Sequence, residues 1–470
     1  MFFVKIVVSL SPQKAKETEK KMEKRGSFGS KLAIILATAG SAIGLGNIWR
    51  FPFTTGQNGG AAFIIIYLAC VLLLGIPGMV SEFIVGRRAQ TNAARAYALL
   101  GRKEWRFVGY LGILTSTIIL GFYAVVAGWC LQYLFAAIAG QLNGDAQYII
   151  NYFQAFSNDP LKPCLWAVGF VLITHFVIAQ GVNKGIERIS KLLMPLLLIL
   201  LLILVVASCM LPGAVAGIEF LLKPDFSKMN GDVILEALGQ AFFSLSLGTA
   251  CLCTYASYFK SDTNLLKSAT QIALLDSAIA ILAGLMIFPA AFSVGLQPDS
   301  GPSLIFITLP NVFQQAFSAF PMNGYILSCL FYALLVFAAL TSTISMHEIG
   351  TAFFHEELNM PRKHATWILT VVCSVIAVCC SLSAGAYDLQ VFGMSLMDFC
   401  DFLTAKFMLP IGGFLTSIIM GWFVDRQLVR DEFTNRGTVA ESFFTAYMFS
   451  VRYIVPLCIV LIFLHQFGVL

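Results

Sequence analysis

The sequence predicts an all-α integral membrane protein, and three observations carry that expectation. Of 470 residues, 58% are hydrophobic and only 12% charged, with a mean hydropathy of +0.82. A soluble domain carries about 25% charged residues, so this chain lacks the polar surface that water demands. Its apolar runs are continuous: Leu192–Val206 holds no polar residue. A membrane barrel would instead alternate polar and apolar positions. Finally, the basic residues collect in one alternate set of loops. Arg87, Arg88, Arg95, Arg102, Lys103, Arg106, Lys184, Arg188, Lys260, Lys267, Arg362, Lys363, Arg426, Arg430 and Arg436 lie on one side, with Lys14 to Arg25. Only Lys162, Lys223 and Lys228 lie on the other. This positive-inside asymmetry places the N-terminus in the cytoplasm and explains the net charge of +5 without nucleic acid as a partner.

At about 20 residues per span, the apolar runs mark eleven helices. They cover roughly 31–55, 60–86, 107–139, 163–179, 189–211, 232–259, 265–295, 323–355, 365–385, 395–424 and 442–465. An odd number puts the C-terminus outside. Residues 1–30 form a cytoplasmic tail. Its apolar start, Met1 to Leu10, is too short to span, and Lys5 interrupts it, so translation is expected to begin at Met22. The outer loops carry no Asn-x-Ser/Thr acceptor, which points to a prokaryotic cell membrane.

Helix 1 is the first element that fits lipid badly. Its run Gly40-Ser-Ala-Ile-Gly44-Leu-Gly46-Asn47-Ile-Trp-Arg50-Phe-Pro52 puts three glycines, an asparagine and an arginine at membrane depth. A Gly-xxx-Gly packing face accounts for the glycines. It does not account for Arg50, because a charge at the bilayer centre costs at least about 2.5–3.5 kcal/mol. Helices 2 to 5 are continuous, with Glu82 in helix 2 expected as a packed or hydrogen-bonded acid. Helix 6 weakens again at Gln240-Ala-Phe-Phe243-Ser244-Leu-Ser246-Leu-Gly248-Thr249. Interrupted helices in corresponding positions of two halves point to an alternating-access transport site. An unwound turn frees carbonyls for a hard cation, and the next half-helix presents free N–H groups to an anion. A zwitterionic amino acid needs both together. Helices 7 to 11 add Asp276, Thr341, Ser342, Asp401 and Lys406, the last with no assigned role. The twelve cysteines sit mostly inside apolar helices without zinc spacing, and read as small hydrophobes. His347-Glu348 and His355-Glu356-Glu357 lack the second histidine of a metalloprotease helix, so no enzyme is expected.

At these residues the chain resembles the neurotransmitter:sodium symporter family, in its bacterial eleven-helix branch. The helix 1 motif with Asn58-Gly-Gly60 carries the resemblance. Lys184-Gly-Ile-Glu-Arg188, Ser244-Leu-Ser-Leu-Gly248 and Leu340-Thr-Ser342 support it. The similarity implies two inverted five-helix repeats, residues 31–211 and 232–424, with broken helices 1 and 6 and helix 11 (442–465) outside them. It implies two Na+ sites and no organic cofactor. The first would use carbonyls of Ala42 and Ser244, with side chains of Asn47, Ser244 and Asp276. The second would use carbonyls of Gly40, Ile43 and Ala338, with hydroxyls of Thr341 and Ser342. Amides of Leu45 and Gly46 and the Tyr123 hydroxyl would hold a substrate carboxylate. Carbonyls of Ala42, Phe243 and Ser244, with Ser246, would hold its ammonium.

The resemblance also suggests the substrate. Gly44 stands where monoamine carriers place an aspartate, which leaves room for an amino acid's own carboxylate. Ile119, Tyr123, Phe243, Ser246, Thr249, Ser342 and Met346 would line a mostly apolar pocket that favours tryptophan, tyrosine or phenylalanine over leucine. Asp276 would supply the negative charge that chloride-dependent relatives take from chloride. Arg50 with Asp401 would close the outside, under a Tyr123 and Phe243 lid. Arg25 with Glu356 would close the inside near Tyr258, where Phe28 replaces the usual tryptophan. An amino-acid sensor that does not transport is the competing expectation, and the oligomeric state is open.

Overall fold

A computed structural model describes residues 26–295, 304–316, 321–387, 389–437 and 441–467. Arg25 and the proposed start at Met22 lie outside them. Nine helices among the described residues are long and apolar enough to cross a membrane: Ala61–Ala89, Lys103–Ile138, Lys162–Ala179, Val182–Cys209, Leu265–Ser293, Met322–Glu357, Arg362–Ala386, Leu396–Phe423 and Glu441–Gln466. These are helices 2 to 5 and 7 to 11. Helix 1 consists of Lys31–Ala42 and Gly46–Gln57, bent by 57° at the break. Helix 6 is split into Gly231–Ser244 and Cys251–Ala256.

Each split has a local cause. In helix 1, Ser30 caps the first half by accepting from Ala33 N–H (3.2 Å). Ile43 then leaves the helix at ψ 108°, and the second half begins at Gly46. In helix 6 the chain turns left-handed at Ser246 (φ 54°), Gly248 (φ 81°) and Ala250 (φ 60°). A side chain at Gly248 would strike the Leu409 carbonyl on helix 10, so only glycine lets the turn approach so closely.

Helices 3 and 8, the two longest at 36 residues each, pack along one another and frame the two breaks. Beyond the exposed Lys184, Arg188 and Lys191 at its cytoplasmic end, the side chains that helix 5 leaves exposed from Leu192 to Val206 (Leu192, Pro195, Ile199, Leu202, Ile203, Val206) are all apolar, as a lipid-facing surface requires.

Several loop elements were not expected from the apolar runs. Short helices Ala93–Leu99, Ala146–Ser157, Ala214–Leu222, Leu309–Ala316 and Arg426–Phe433 lie between spans. A two-stranded hairpin, Gln390–Val391 with Met394–Ser395, precedes helix 10. Each is too short to register as a membrane run.

Candidate functional site

The two breaks meet at the centre of the molecule. Ser246 Oγ donates to the Ser41 carbonyl (3.4 Å), which ties the unwound turn of helix 6 to the end of the first half of helix 1. Helix 3 seats the same turn: Ser116 Oγ donates to the Thr249 carbonyl (2.6 Å). On one face of that helix, Ile119 and Tyr123 follow Ser116 at helical spacing, and the Tyr123 hydroxyl accepts from Leu45 N–H (3.0 Å). A Cβ on Gly44 would collide with Ser342 Oγ and come within 3.0 Å of the Tyr123 oxygen. A Cβ on Gly46 would come within 2.9 Å of the Phe243 ring. Both glycines therefore keep the break open to close approach from helices 3, 6 and 8. Met346 lies one turn beyond Ser342 on helix 8. Thr249 spends its hydroxyl within the turn, donating to the Ser246 carbonyl (2.7 Å) and accepting from Cys251 N–H (3.1 Å).

Two oxygen clusters flank this point. In one, Asn47 Nδ2 donates to Asp276 Oδ1 (2.7 Å) and to Ser244 Oγ (3.2 Å). Ser244 Oγ and Tyr67 Oη donate to Asp276 Oδ2, at 2.7 and 3.3 Å. Asp276 is fully buried and, among the described residues, has no ion-pair partner. A buried carboxylate needs a compensating cation or a proton. In the other, Thr341 Oγ1 and Ser342 Oγ each stand 3.4 Å from the Ile43 carbonyl, and Thr341 Oγ1 stands 3.0 Å from the Ala338 carbonyl. Gly40 faces the same corner, its added Cβ lying 3.4 Å from Thr341 Cβ. Carbonyls and hydroxyls without nitrogen or sulfur suit a hard cation.

On the outer side Arg50 and Asp401 approach to 4.0 Å, and the Arg50 guanidinium lies 4.0 Å over the Phe243 ring. Lys406 pairs with Glu236 of helix 6 (3.5 Å), which supplies the partner its sequence context did not reveal. On the cytoplasmic side Arg25, the expected partner of Glu356, lies outside the described residues. Tyr258 Oη donates to Glu348 (2.6 Å), which also pairs with Arg362. Glu356 lies two turns further along helix 8, about 12 Å away. There it accepts from Thr91 Oγ1 (2.8 Å) and Asn92 N–H (2.6 Å) at the start of Ala93–Leu99. Phe28 is fully buried against Tyr255, Tyr258 and Phe259.

Sequence reasoning missed Glu348, Arg362 and Tyr67 as partners in these networks. Glu82 had been placed as a hydrogen-bonded acid, and it accepts from Gly248 N–H (2.7 Å) in the helix 6 turn. An acid and an arginine in one apolar neighbourhood could have signalled the Glu348 pair, since neither is stable there alone.

Comparison with known proteins bears on this geometry. Residues 25–153 and 160–469 match the sodium:neurotransmitter symporter family. An uncharacterized sodium-dependent transporter of Bacillus subtilis, YhdH, is 39% identical over 95% of this chain and 99% of its own. One from Haemophilus influenzae is 33% identical over 94% of this chain and 98% of its own. Among solved structures, MhsT in complex with L-phenylalanine superposes with a TM-score of 0.86 at 40% identity, covering 94% of this chain and 99% of that one.

Proposed function

The chain belongs to the sodium:neurotransmitter symporter family, a multi-pass membrane protein and sodium-dependent transporter, and from that premise we propose that it imports a hydrophobic L-amino acid, aromatic ones first, without chloride. Import proceeds by alternating access, with residues 31–211 and 232–424 as inverted repeats around the two breaks. The N-terminus is cytoplasmic and the C-terminus outside.

The observation that carries this reading is the position of Asp276. It joins Asn47 of helix 1 to Ser244 of helix 6, so a cation at this point bonds both broken helices at once. One Na+ would lie between Asn47, Ser244, Asp276 and the Ala42 carbonyl, and a second at Gly40, Ile43, Ala338, Thr341 and Ser342. The substrate carboxylate would sit against Leu45, Gly46 and Tyr123. Its ammonium would face the carbonyls of Ala42, Phe243 and Ser244. The side chain would meet Ile119, Phe243, Ser246, Thr249 and Met346. That MhsT was solved with L-phenylalanine supports the aromatic preference.

The test is labelled amino-acid uptake into proteoliposomes, with an inward Na+ gradient against K+ on both sides, in chloride and in gluconate. Uptake is expected to require Na+ and to be equal in the two anions. A strict chloride requirement would overturn the role of Asp276, and Na+-dependent binding without accumulation would favour a sensor. Asp276→Asn leaves a buried cation without its counter-charge, a loss of about 3–5 kcal/mol for a buried pair. Na+ affinity should therefore fall more than about a hundredfold.

A further inference from the structure

A second charged cavity lies far from the breaks, on the end that the basic loops mark as cytoplasmic. It measures about 590 Å³ and is lined by Arg87, Arg88, Gln90, Ser261, Asp431, Glu432, Asn435 and Arg436. Arg87 is buried and fully spent as a brace. It bonds Glu432 through Nε (2.7 Å) and through the Glu432 carbonyl (2.7 Å), and reaches the Thr263 carbonyl (2.5 Å). It thereby joins helix 2, the helix 6–7 loop and the linker between helices 10 and 11. With Glu432 taken by Arg87, the neighbouring Arg88 keeps only a 3.8 Å approach to it and is 56% exposed. The Arg436 side chain has no partner among the described residues. The Asp431 carboxylate is turned to Gln427, whose Nε2 donates to it (2.8 Å). Three arginines against two acids leave one net positive charge.

The backbone around this cavity is unusual. Seven non-glycine residues in the described chain have left-handed φ, and three of them, Gln90, Asn435 and Arg436, line it. Two others, Ser246 and Ala250, form the helix 6 turn at the central site. Such conformations cost about 1–3 kcal/mol each, and they collect at ligand sites. The depth is informative too. Helix 10 ends at exposed Trp422 and Phe423, with Trp105 packed on Phe423 (6.1 Å) and the Arg102 guanidinium over it (5.4 Å). Aromatic belts of this kind mark the level of the lipid headgroups. The linker helix Arg426–Phe433 follows at once, holding Val429 and Phe433 buried against the protein, and its end opens the cavity.

We propose that this cavity binds the phosphate of an anionic phospholipid of the cytoplasmic leaflet, between the guanidiniums of Arg88 and Arg436. A phosphodiester carries one negative charge, which matches the net charge of the lining. A basic pocket between helices at this leaflet is where such headgroups bind. Gln90 and Ser261 supply neutral donors for a glycerol headgroup. A bound lipid ties the linker to helix 2 beside the Arg87 brace.

The full-length protein, freed of native lipid, would be titrated by native mass spectrometry with phosphatidylglycerol, phosphatidylcholine and inorganic phosphate. Phosphatidylglycerol is expected to be retained over phosphatidylcholine, with inorganic phosphate unable to displace it. Each of Arg88→Gln and Arg436→Gln should weaken retention about fivefold, and the pair about thirtyfold. Arg102→Gln, at the same depth but outside the cavity, should leave it unchanged. Equal retention of the two lipids, or undiminished binding in both single variants, overturns the site. Full displacement by inorganic phosphate overturns the lipid as the ligand. As a second readout, phosphatidylglycerol vesicles should raise the unfolding temperature of the parent above that in phosphatidylcholine, and raise that of the Arg88→Gln protein by less.

Discussion

The two closures of the central site differ in thickness and in burial. Outside, one ion pair at 4.0 Å joins Arg50, 25% exposed, to Asp401, 48% exposed. Inside, Phe28 packs edge-on to Tyr255 and Tyr258, and Glu348, with no exposure, holds Arg362 and Tyr258. Below them Glu187 accepts from Gly29 N–H (2.9 Å) and pairs with Lys191 (2.6 Å). Exposed ion pairs contribute about 0–1 kcal/mol, whereas breaking a buried one by removing a partner costs about 3–5 kcal/mol. The structure is therefore closed firmly toward the cytoplasm and lightly toward the outside. Opening outward disturbs this weak contact, the half-exposed Lys406–Glu236 pair and a stacked ring. Opening inward must separate Tyr258 from the buried Glu348 and part an aromatic cluster, which calls for energy from sodium and substrate binding.

The sharpest way to break that difference is Glu348→Gln. It strands the Arg362 guanidinium, which is only 22% exposed. A loss of about 3–5 kcal/mol is expected, as a lower unfolding temperature and as faster hydrogen exchange in Cys251–Ala256. Unchanged exchange there would mean the pair is decorative and the inner closure rests on the aromatic residues alone. Phe28→Leu tests those residues with a smaller change. It keeps an apolar side chain but removes the edge-to-face contacts with Tyr255 and Tyr258, each worth about 0.5–1.5 kcal/mol. The variant should favour the inward-open state severalfold, read as exchange rising in Cys251–Ala256 while helix 3 stays protected.

The contrast between the closures was only half legible in the sequence. The helix 1 break was visible, because glycine, asparagine and arginine at membrane depth have no place in a plain apolar helix; the helix 6 run of hydroxyls and a glycine signalled a break only beside it. Arg50 with Asp401 and the meeting of Asn47, Ser244 and Asp276 came from the family resemblance; periodicity carries no pairing information between helices 1, 6, 7 and 10. At the inner closure the Tyr258 bond to Glu348 was not anticipated, and Glu356, the acid named from the resemblance, lies eight positions further along. Both acids sit on helix 8 near its cytoplasmic end, and only the packing of helix 6 decides which one Tyr258 reaches. Arg362 meets Glu348 because the chain reverses between helices 8 and 9 at Asn359 (φ 48°) and Pro361, a turn that hydropathy does not register. Lys406 was opaque for a similar reason, since its partner Glu236 lies 170 positions earlier, on helix 6.

The smallest effect belongs to the outer gate, and its smallness is the point. Asp401→Asn removes a pair that is half in water, so stability should change by less than about 1 kcal/mol. The Arg50 guanidinium retains its place over Phe243 at 4.0 Å, an interaction of about 0.5–1 kcal/mol at an exposed site. The gate should thus loosen without failing. In sodium-driven uptake the variant is expected to raise the apparent KM severalfold and leave kcat nearly unaltered, because a looser lid lets substrate escape before the inner side opens. A second condition separates this from a structural defect. Raising the ionic strength should narrow the gap between parent and variant, since a pair this exposed is screened by salt, with a Debye length near 10 Å at about 0.1 M. A gap that persists in high salt, or a loss of stability as large as that of Glu348→Gln, would show that the outer pair is held as tightly as the inner one and that the two closures are equivalent.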